Sequence, residues 1–599
     1  METKINNLTK LRTLLITTAV IFGFCSAWSL RYFIHSDSIS YLDVGDAYLQ
    51  GDWKTAVNAY WSPLYACLLG FAMLVLKPTI YQEFPLVQLV NFLIYIFAIF
   101  GFNFLLNELI KHNQQIAKIN LSNNYNTLPE WAWLIIGYTI FVWVSLNLIG
   151  VPTGTPDMLV SAFIYLASGI LIRIKRGLSS NVNFILLGFL LGFGYLAKTI
   201  VFAITAIFLV LILFSVKDKK EAAKKTLITF FAFVLISGPF IFTLSKSKGY
   251  FTIGDSGKLN YSWWVNGVIM FNHWQGGTYT DNRSSKFVKA FPFLSKISFA
   301  INPSSRNIGE PIHSTRKIFD IPPAYEFATP VKGTYPPWYD PSYWYYGVKP
   351  QFDLIKHIKA FELSLLTFKK IFFNFSEGGI IILDLLFFLF VYWRGKDFFK
   401  DLNHQRELLI TAILMLTGHA LISMHGRYIG PFIVLLLLGL YSTIFIKTNE
   451  PLKPVKYLCF TFLLVMIAYG KPFIKSIINS KNIYPEYIQV AAELKNMGIE
   501  SQDKFAYLGN SLYAFWARLA KVQIIAEIPM RGRMMENFWK LDQERISKVI
   551  EVFSKTGAKA IVAEKAPFYV INNGWQRIGR TNYYIYFLDR KKEQAEPSS

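Results

Sequence analysis

The sequence is short of cysteine. Three of its 599 residues are cysteines, and all three lie in apolar segments: Cys25, Cys67 and Cys459. Their spacings match no metal site and no disulfide framework. The two large polar regions contain no cysteine, so their folds cannot depend on disulfide bonds. The sequence therefore argues against redox chemistry and against structural zinc.

Charged residues are also scarce, at 17% of the chain, whereas soluble domains carry about 25%. The hydrophobic share of 53% excludes disorder. Apolar runs of about 20 residues are long enough to cross a bilayer. The net charge of +23 would suggest nucleic acid in a soluble protein. Basic residues in cytoplasmic loops give the same excess, so we predict a membrane protein without a nucleic-acid partner.

The hydropathy pattern predicts eleven transmembrane helices. The first, at 14–34, is longer than the apolar core of a signal peptide and lacks a small-residue cleavage site, so we expect it to be retained. The others are expected at 85–110, 131–150, 157–173, 183–197, 199–215, 226–245, 372–393, 407–424, 428–446 and 457–470. A shorter apolar segment, 62–77, is ambiguous.

Loop charge indicates which side of the membrane each connection faces. Four connectors are rich in Lys and Arg: 173–176, 217–225, 394–406 and 447–456. Cytoplasmic loops retain positive charge, so we place all four connectors on the cytoplasmic side. The membrane is expected to be the plasma membrane, which the chain crosses many times. With these connectors and the N-terminus in the cytoplasm, the number of crossings is consistent only if 62–77 does not cross the membrane. This segment is therefore expected to lie at the outer interface or to re-enter. The outward segments are 35–84, 151–156, the residues around Lys198, 246–371, 425–427 and everything after 471.

Two of the outward regions are large. Residues 246–371 are dense in proline and aromatic residues, above all in YPPWYDPSYWYY at 335–346, which favours an irregular loop over a separate sheet domain. This loop could be a lid that binds sugar or lipid, or an aromatic belt at the membrane interface. After 481, short strands alternate with helices, which predicts a small α/β domain.

The predicted fold class is therefore mainly α, a polytopic membrane helical bundle with a C-terminal α/β domain outside the membrane. We expect a transmembrane domain at 1–470, which includes the first outer loop 35–84 and the aromatic loop 246–371. The outer α/β domain spans 471–599 and contains no glycine-rich phosphate loop and no catalytic triad.

Carboxylates lie at two predicted outer junctions. Asp37 follows the first span in HSDSISYLD, and Tyr41 stands one helical turn further on, where it could line a cavity. Asp157 opens a span in VPTGTPD. The alternatives are a solvated acidic loop and a helix cap, which offsets the helix dipole by about 0.3–1 kcal/mol. Glu377, near the outer end of another span, could also line a cavity.

Cations lie at two further outer junctions. Lys198 ends a span in GFGYLAK, between two apolar helices, where an unpaired ammonium is costly. Arg427 stands in HGRYIGP, flanked by His425 and Tyr428. Two carboxylates and two cations are therefore expected on one face from four separate hairpins, although convergence by chance is also compatible with the sequence.

Four motifs occur in order on the predicted outer side: DSISYLD after the first span, TPDMLV opening a helix, GFLLGFGYLAK ending one, and HGRYIGP near the last spans. Together they resemble the integral-membrane glycosyltransferases of the GT-C class. The branch they resemble is the family-39-like bacterial one, with the lipid A aminoarabinose transferases and the protein mannosyltransferases. The resemblance covers residues 10–470 and implies that the transmembrane domain is a GT-C-like catalytic domain.

The resemblance implies a role for each motif residue. An acidic residue of the first outer loop is the catalytic base in this family, and it maps onto Asp37. The Pro-Asp motif maps onto Asp157, and the lysine that ends the glycine-rich span maps onto Lys198. The Arg-Tyr pair maps onto Arg427 and Tyr428.

The chain departs from its relatives at two places. Relatives often have Asp-Glu where this chain has Asp37-Ser38, so a metal-assisted reaction has less support. A Lys or a second Pro often stands before their Pro-Leu-Tyr motif, where this chain has Trp61-Ser62. We predict no metal ligand and no certain cofactor, and a divalent metal is compatible with the sequence but unsupported.

The chemistry of such a site agrees with the residues themselves. The family's donor is a sugar on a polyprenyl phosphate, and phosphate leaves readily, so the paired acid of a hydrolytic glycosidase is not required. Asp37 can act as the base for the acceptor hydroxyl. Lys198 and Arg427 can stabilise the phosphate charge, with His425 and Tyr428 as further candidates.

The predicted function is thus transfer of a sugar to a lipid, glycan or protein acceptor on the outer face, with inversion at the anomeric carbon. Asp157 would orient the acceptor or bind sugar hydroxyls. The main alternative is a polytopic transporter or a flippase for lipid-linked sugars, which should show duplicated halves and charges near mid-membrane. A third is an inactive scaffold that binds partners through its outer domain.

Overall fold

The computed structural model of the chain is mainly helical, with one large mixed sheet. It describes residues 2–120, 125–270, 273–278, 285–291, 293, 307–373, 377–448, 450–478, 484–530 and 533–588. The longer described helices are Glu2–Ser29, Ser36–Leu49, Pro63–Leu76, Glu83–Asn120, Glu130–Trp143, Asp157–Lys175, Asn181–Ala197, Val201–Ser215, Lys219–Lys248, Ser256–Trp264, Leu354–Phe373, Glu377–Val391, Asp397–His404, Arg406–Ile422, Gly426–Tyr441, Lys453–Ile478, Glu486–Asn496 and Gln543–Ser554. Short helices are Trp53–Ala56, Lys286–Ala290, Pro336–Tyr339, Pro341–Trp344, Phe515–Ala520 and Arg533–Trp539. The predicted fold class is confirmed.

Several helices are long and apolar enough to cross a membrane. Six qualify among the described residues: Asn6–Ser29, Glu83–Lys118, Glu130–Thr153, Asp157–Lys175, Lys219–Lys248 and Lys453–Gly470. Leu354–Phe373 and Gly378–Val391, bent by 82°, would together make a seventh. The chain is therefore a multi-pass membrane protein.

The remaining predicted spans correspond to shorter helices. Asn181–Ala197, Val201–Ser215, Arg406–Ile422 and Gly426–Tyr441 have 17, 15, 17 and 16 residues. A straight helix needs about 20 residues to cross the hydrocarbon core. Each of these segments is helical where the sequence indicates a span, and the total of eleven crossings stays a prediction.

The first outer loop is held by close helix packing. Helix Ser36–Leu49 lies against helix Pro63–Leu76, the segment that is ambiguous in the sequence. A Cβ atom at Gly45 would lie 2.6 Å from the carbonyl oxygen of Ala66, and one at Gly70 would lie 3.0 Å from the carbonyl oxygen of Gly45. Glycine at both positions therefore lets the two backbones touch and fixes the helix that carries Asp37.

The C-terminal sheet has seven described strands: β2 (Arg316–Phe319), β3 (Ala324–Glu326), β5 (Lys504–Gly509), β6 (Gln523–Pro529), β7 (Ala560–Glu564), β8 (Gln576–Arg577) and β9 (Tyr583–Phe587). Their order in the sheet is β2-β3-β6-β5-β7-β9-β8. A separate antiparallel pair joins β1 (Tyr125–Thr127) to β4 (Phe445–Lys447). Strands β6, β5 and β7 are parallel, with β3 and β9 antiparallel on either side. The alternation read from the sequence after 481 is thus found in the structure.

The aromatic loop is more regular than predicted: helix Ser256–Trp264 and most of helix Leu354–Phe373 lie within it, and it also contributes two strands. The sequence favours an irregular loop at 246–371, but β2 and β3 form a hairpin that extends the C-terminal sheet. Tyr325 of β3 pairs with Glu527 of β6. The sheet thus takes strands from both sides of residue 471, and the division of the chain at that point stays a proposal.

A buried arginine, Arg518, joins the C-terminal region to the first outer loop. The Arg518 side chain is 3% exposed, and its Nη1 lies 2.7 Å from Asp43 and 2.6 Å from Asp46, while its Nε lies 2.7 Å from Glu83. Asp43 also accepts hydrogen bonds from the backbone N–H and the hydroxyl of Thr334, at 2.7 and 3.0 Å. We call these residues the Arg518 cluster; it connects the first outer loop, the aromatic loop and the C-terminal region.

Replacement of Arg518 should destabilise the protein strongly. In Arg518→Met the three carboxylates lose their main cation while they stay largely buried, so we expect the free energy of unfolding to fall by about 3–5 kcal/mol. Denaturant unfolding in detergent, followed by tryptophan fluorescence, measures the change. Arg545→Met is the control, because Arg545 pairs with Asp542 at an exposed site and should cost less than about 1 kcal/mol. Equal stability of the two variants would contradict the role given to the Arg518 cluster.

Candidate active site

Asp37 lies in the first turn of helix Ser36–Leu49. His35 caps this helix, and its Nδ1 accepts a hydrogen bond from the backbone N–H of Asp37 at 3.2 Å. The same Nδ1 lies 3.4 Å from Asp37 Oδ2. A carboxylate at this end of a helix is favoured by the helix dipole. The whole residue is 7% exposed, so its charge needs nearby partners.

Asp157 begins helix Asp157–Lys175 directly after a tight turn. Gly154 in that turn has φ +63, and a Cβ there would lie 2.2 Å from Ser38 Oγ. The Ser38 hydroxyl instead donates to the Gly154 carbonyl oxygen at 2.7 Å. The turn therefore needs glycine, and it fastens the junction before Asp157 to the residue after Asp37.

Two cations bring these carboxylates into one cluster. Arg427 Nη2 lies 2.9 Å from Asp37 Oδ2, and Arg427 Nε lies 3.7 Å from Asp157 Oδ2. Lys198, the C-cap of helix Asn181–Ala197, donates a hydrogen bond to Asp157 Oδ1. The four residues that sequence reasoning assigned to separate hairpins are thus linked in the order Asp37, Arg427, Asp157, Lys198. We call them the charge cluster.

Tyr428 and His425 lie beside the cations. Lys198 Nζ is 3.8 Å from the centroid of the Tyr428 ring, and Arg427 Nη2 donates to the Tyr428 hydroxyl at 3.0 Å. The His425 ring is 5.3 Å from the Tyr428 ring, and its Nε2 lies 3.0 Å from Ser423 Oγ. An anion at this point would meet an ammonium, a guanidinium and hydroxyl donors together.

Asp37 is held in its ionised form. Burial acts to raise the pKa of this carboxyl, but the His35 side chain beside Oδ2 and the positive charge of Arg427 outweigh burial and hold the pKa well below its usual range. Because the folded pKa lies below the unfolded one, ionised Asp37 stabilises the fold above its ordinary pKa. That stability is lost as the pH falls towards the folded value.

Trp338 is a site residue that the sequence did not single out. Its indole N–H donates to Asp37 Oδ1 at 3.3 Å. The Trp338 carbonyl oxygen accepts hydrogen bonds from the Ser40 hydroxyl and from the Trp61 indole, both at 2.9 Å. The aromatic loop thus packs directly on the first outer loop. The run of aromatics at 335–346 was the only signal, and it did not distinguish Trp338 from its neighbours.

Tyr41 and Glu377 are the residues predicted to line a cavity. Tyr41 is 4% exposed, and its ring packs against Trp61 and Tyr65 at centroid distances of 5.0 and 5.1 Å. The side chain of Glu377 lies outside the described residues. The cavity-lining role of both stays a prediction. Across the described ranges, no group of three or more His, Cys, Asp or Glu side chains is placed to hold a metal ion.

Comparisons with known proteins gave the following. No protein-family model matches the chain, and no curated protein matches its sequence. The fold is similar to the apo oligosaccharyltransferase of Archaeoglobus fulgidus, with TM-score 0.49 and 11% identity over 93% of this chain and 69% of that one. It is also similar to AglB of the same organism in complex with an inhibitory peptide and a dolichol-phosphate, with TM-score 0.49 and 12% identity over 94% and 70%. For ArnT from Cupriavidus metallidurans bound to undecaprenyl phosphate, the TM-score is 0.40 and the identity 13% over 98% and 99%. These neighbours are GT-C glycosyltransferases, the class that the sequence motifs resemble.

The loss of Arg427 should shift the titration of Asp37. In Arg427→Gln the guanidinium charge is gone while burial remains, so we expect the pKa of Asp37 to rise and the carboxylate to take up a proton at higher pH than in the parent protein. Infrared difference spectra of the carboxyl C=O stretch, assigned by its absence in Asp37→Asn, follow this titration. Arg545→Gln, at an exposed ion pair, should leave it unchanged. An unaltered titration in Arg427→Gln would mean that Arg427 does not control Asp37.

Proposed function

We propose that the chain is an inverting glycosyltransferase that moves a sugar from a polyprenyl phosphate to a hydroxyl acceptor. The observation that carries this proposal is the charge cluster: a buried, ionised Asp37 shares the Arg427 guanidinium with Asp157, which also binds Lys198. One end of the cluster offers a base, and the other offers cations. These are the two kinds of group that displacement of a phosphate by a hydroxyl requires.

The reaction follows from this polarity. Asp37 accepts the proton of the acceptor hydroxyl as its oxygen attacks the anomeric carbon from the side opposite the phosphate. The bond between that carbon and the phosphate oxygen breaks, and its electron pair leaves with the polyprenyl phosphate. Lys198 and Arg427 stabilise the charge that builds on the phosphate, with His425 and Tyr428 as neighbouring donors. Asp157 holds both cations in place, and its contact with sugar or acceptor hydroxyls stays a prediction.

Donor binding should also prepare the base. Without a donor, Asp37 Oδ2 lies 2.9 Å from Arg427 and Oδ1 accepts from Trp338 at 3.3 Å. A carboxylate held so firmly in its ionised form is a weak base. A phosphate at Arg427 draws part of that guanidinium's charge to itself, which weakens its hold on Asp37 and raises the basicity of the carboxylate. The base therefore becomes effective when the leaving group is in place.

The location of the reaction is part of the same proposal. We assign the chain to the plasma membrane, with the charge cluster and the C-terminal region on the periplasmic or outer side, since the basic connectors favour the inside. The prenyl tail of the donor can then stay in the lipid while its headgroup reaches the cluster. The acceptor is a lipid, a glycan or a protein that carries a free hydroxyl on that side.

The direct test uses purified protein in lipid nanodiscs and a panel of polyprenyl-phosphate sugars, with release of polyprenyl phosphate as the readout. Asp37→Asn should lower turnover by roughly 10²- to 10⁴-fold and keep donor binding, because only the base is removed. Asp52→Asn is the matched control, since Asp52 lies in the same outer loop and caps the short helix Trp53–Ala56. Near-normal turnover in Asp37→Asn would refute Asp37 as the base. Donor movement across the bilayer without release would favour the flippase alternative.

A further inference from the structure

Helix Ser256–Trp264 of the aromatic loop borders the charge cluster and contributes no residue to the proposed reaction. The ring of Trp264 lies 5.3 Å from the ring of His425, and the ring of His425 lies 5.3 Å from that of Tyr428. The hydroxyl of Tyr428 accepts a hydrogen bond from Arg427. Trp264 is therefore close to the groups that would hold the donor phosphate.

Trp264 differs from the tryptophan next to it. Trp263 is 6% exposed and packs on Trp338 and Tyr345, with ring centroids 6.0 and 5.2 Å away. Trp264 is 44% exposed. The first is part of the packing of the loop, whereas the second leaves much of a large ring uncovered beside the charge cluster. An exposed aromatic ring among half-buried polar residues is the composition of a ligand site.

Polar groups surround this ring in an arrangement that suits a sugar. The Trp264 indole N–H donates to Asn260 Oδ1 at 3.3 Å, and Asn260 Nδ2 lies 3.5 Å from the Tyr60 hydroxyl. The C–H face of a sugar ring is weakly electropositive and contacts the negative face of an aromatic ring, while sugar hydroxyls need donors and acceptors around the edge. Trp264 supplies the aromatic face that contacts the sugar ring, and Asn260 and Tyr60 supply donors and acceptors for the sugar hydroxyls.

The same residues also reach the proposed base. The ring of Tyr60 lies 5.8 Å from that of Trp338, and the Trp338 indole donates to Asp37. Contacts therefore lead from Trp264 to the phosphate-binding cations in one direction and to Asp37 in the other. The anomeric carbon of a bound donor must lie between the phosphate and the base. The sugar ring that contains this carbon must therefore lie close to both groups.

We infer that Trp264, Asn260 and Tyr60 form the subsite for the sugar ring of the polyprenyl-phosphate donor, an inference that rests on the proposed function. Trp264 contacts His425 on the phosphate side of the site, whereas another residue of the aromatic loop, Trp338, covers Asp37. This placement assigns the subsite to the donor sugar, which is bonded to the phosphate, and not to the acceptor.

Binding measurements with two lipids test this subsite. Polyprenyl phosphate with and without its sugar is titrated against the full-length protein in nanodiscs, and the dissociation constants are compared. Trp264→Ala should weaken binding of the sugar-bearing lipid about tenfold, the loss expected for one stacked ring, and leave binding of bare polyprenyl phosphate unchanged. Trp264→Phe keeps an aromatic face and should recover most of the affinity. Asn260→Ala should act in the same direction as Trp264→Ala.

Two further variants distinguish a failure of the sugar subsite from a failure of the proposed function. Trp53→Ala is the matched control, because Trp53 is a 64% exposed tryptophan of the first outer loop whose ring contacts Tyr48. It should change neither dissociation constant. Lys198→Gln should weaken both lipids, and if it weakens neither, the proposed function fails. If Lys198→Gln behaves as expected but Trp264→Ala affects both lipids equally or neither, the sugar subsite is wrong. A raised KM for the acceptor with unchanged donor binding would assign Trp264 to the acceptor and overturn the inference.

Discussion

The need to pair buried charges determines how four helix ends of this protein meet. Asp37 and Asp157 are both nearly inaccessible to solvent, and an isolated carboxylate at such a place is strongly unfavourable. Arg427 contacts both, and Lys198 contacts Asp157. Each of the four stands at the end of a different helix, so satisfying the charges also fixes the relative positions of four helix ends. The geometry that stabilises the junction is the geometry that would bind a phosphate and activate a hydroxyl.

The same requirement explains why this cluster could be predicted from sequence. Charged residues at the ends of apolar runs have few allowed positions, and a lysine between two apolar helices must find a partner nearby. Trp338, Asn260 and Trp264 had no such signal. They belong to a loop in which aromatic and polar residues are common, so composition cannot distinguish an exposed Trp264 from a buried Trp263. Only the packing of that loop on the first outer loop makes Trp263 buried and Trp264 exposed.

The fold was predictable to a similar degree. Long apolar runs gave the helices, and the alternation after 481 gave the strands from β5 to β9 except the two-residue β8. The hairpin β2–β3 was missed because its strands have four and three residues, and neither shows a period of its own. Strand β3 pairs with β6, which lies far along the chain, and pairing between such distant segments produces no local sequence pattern. The Arg518 cluster was hidden for the same reason, since Asp43 and Arg518 are 475 positions apart.

This last separation has a consequence for biosynthesis. Contacts between distant parts of a chain form late, after the intervening segments have been made. Helix Ser36–Leu49 leaves the ribosome well before Arg518, whose guanidinium neutralises Asp43 from 475 positions further along the chain. Until Arg518 has been made, Asp43 and Asp46 lack the cation that pairs with them in the folded protein, and the helix that carries them lacks this support. A chain that ends before Arg518 would therefore lack this support for the helix that carries Asp37.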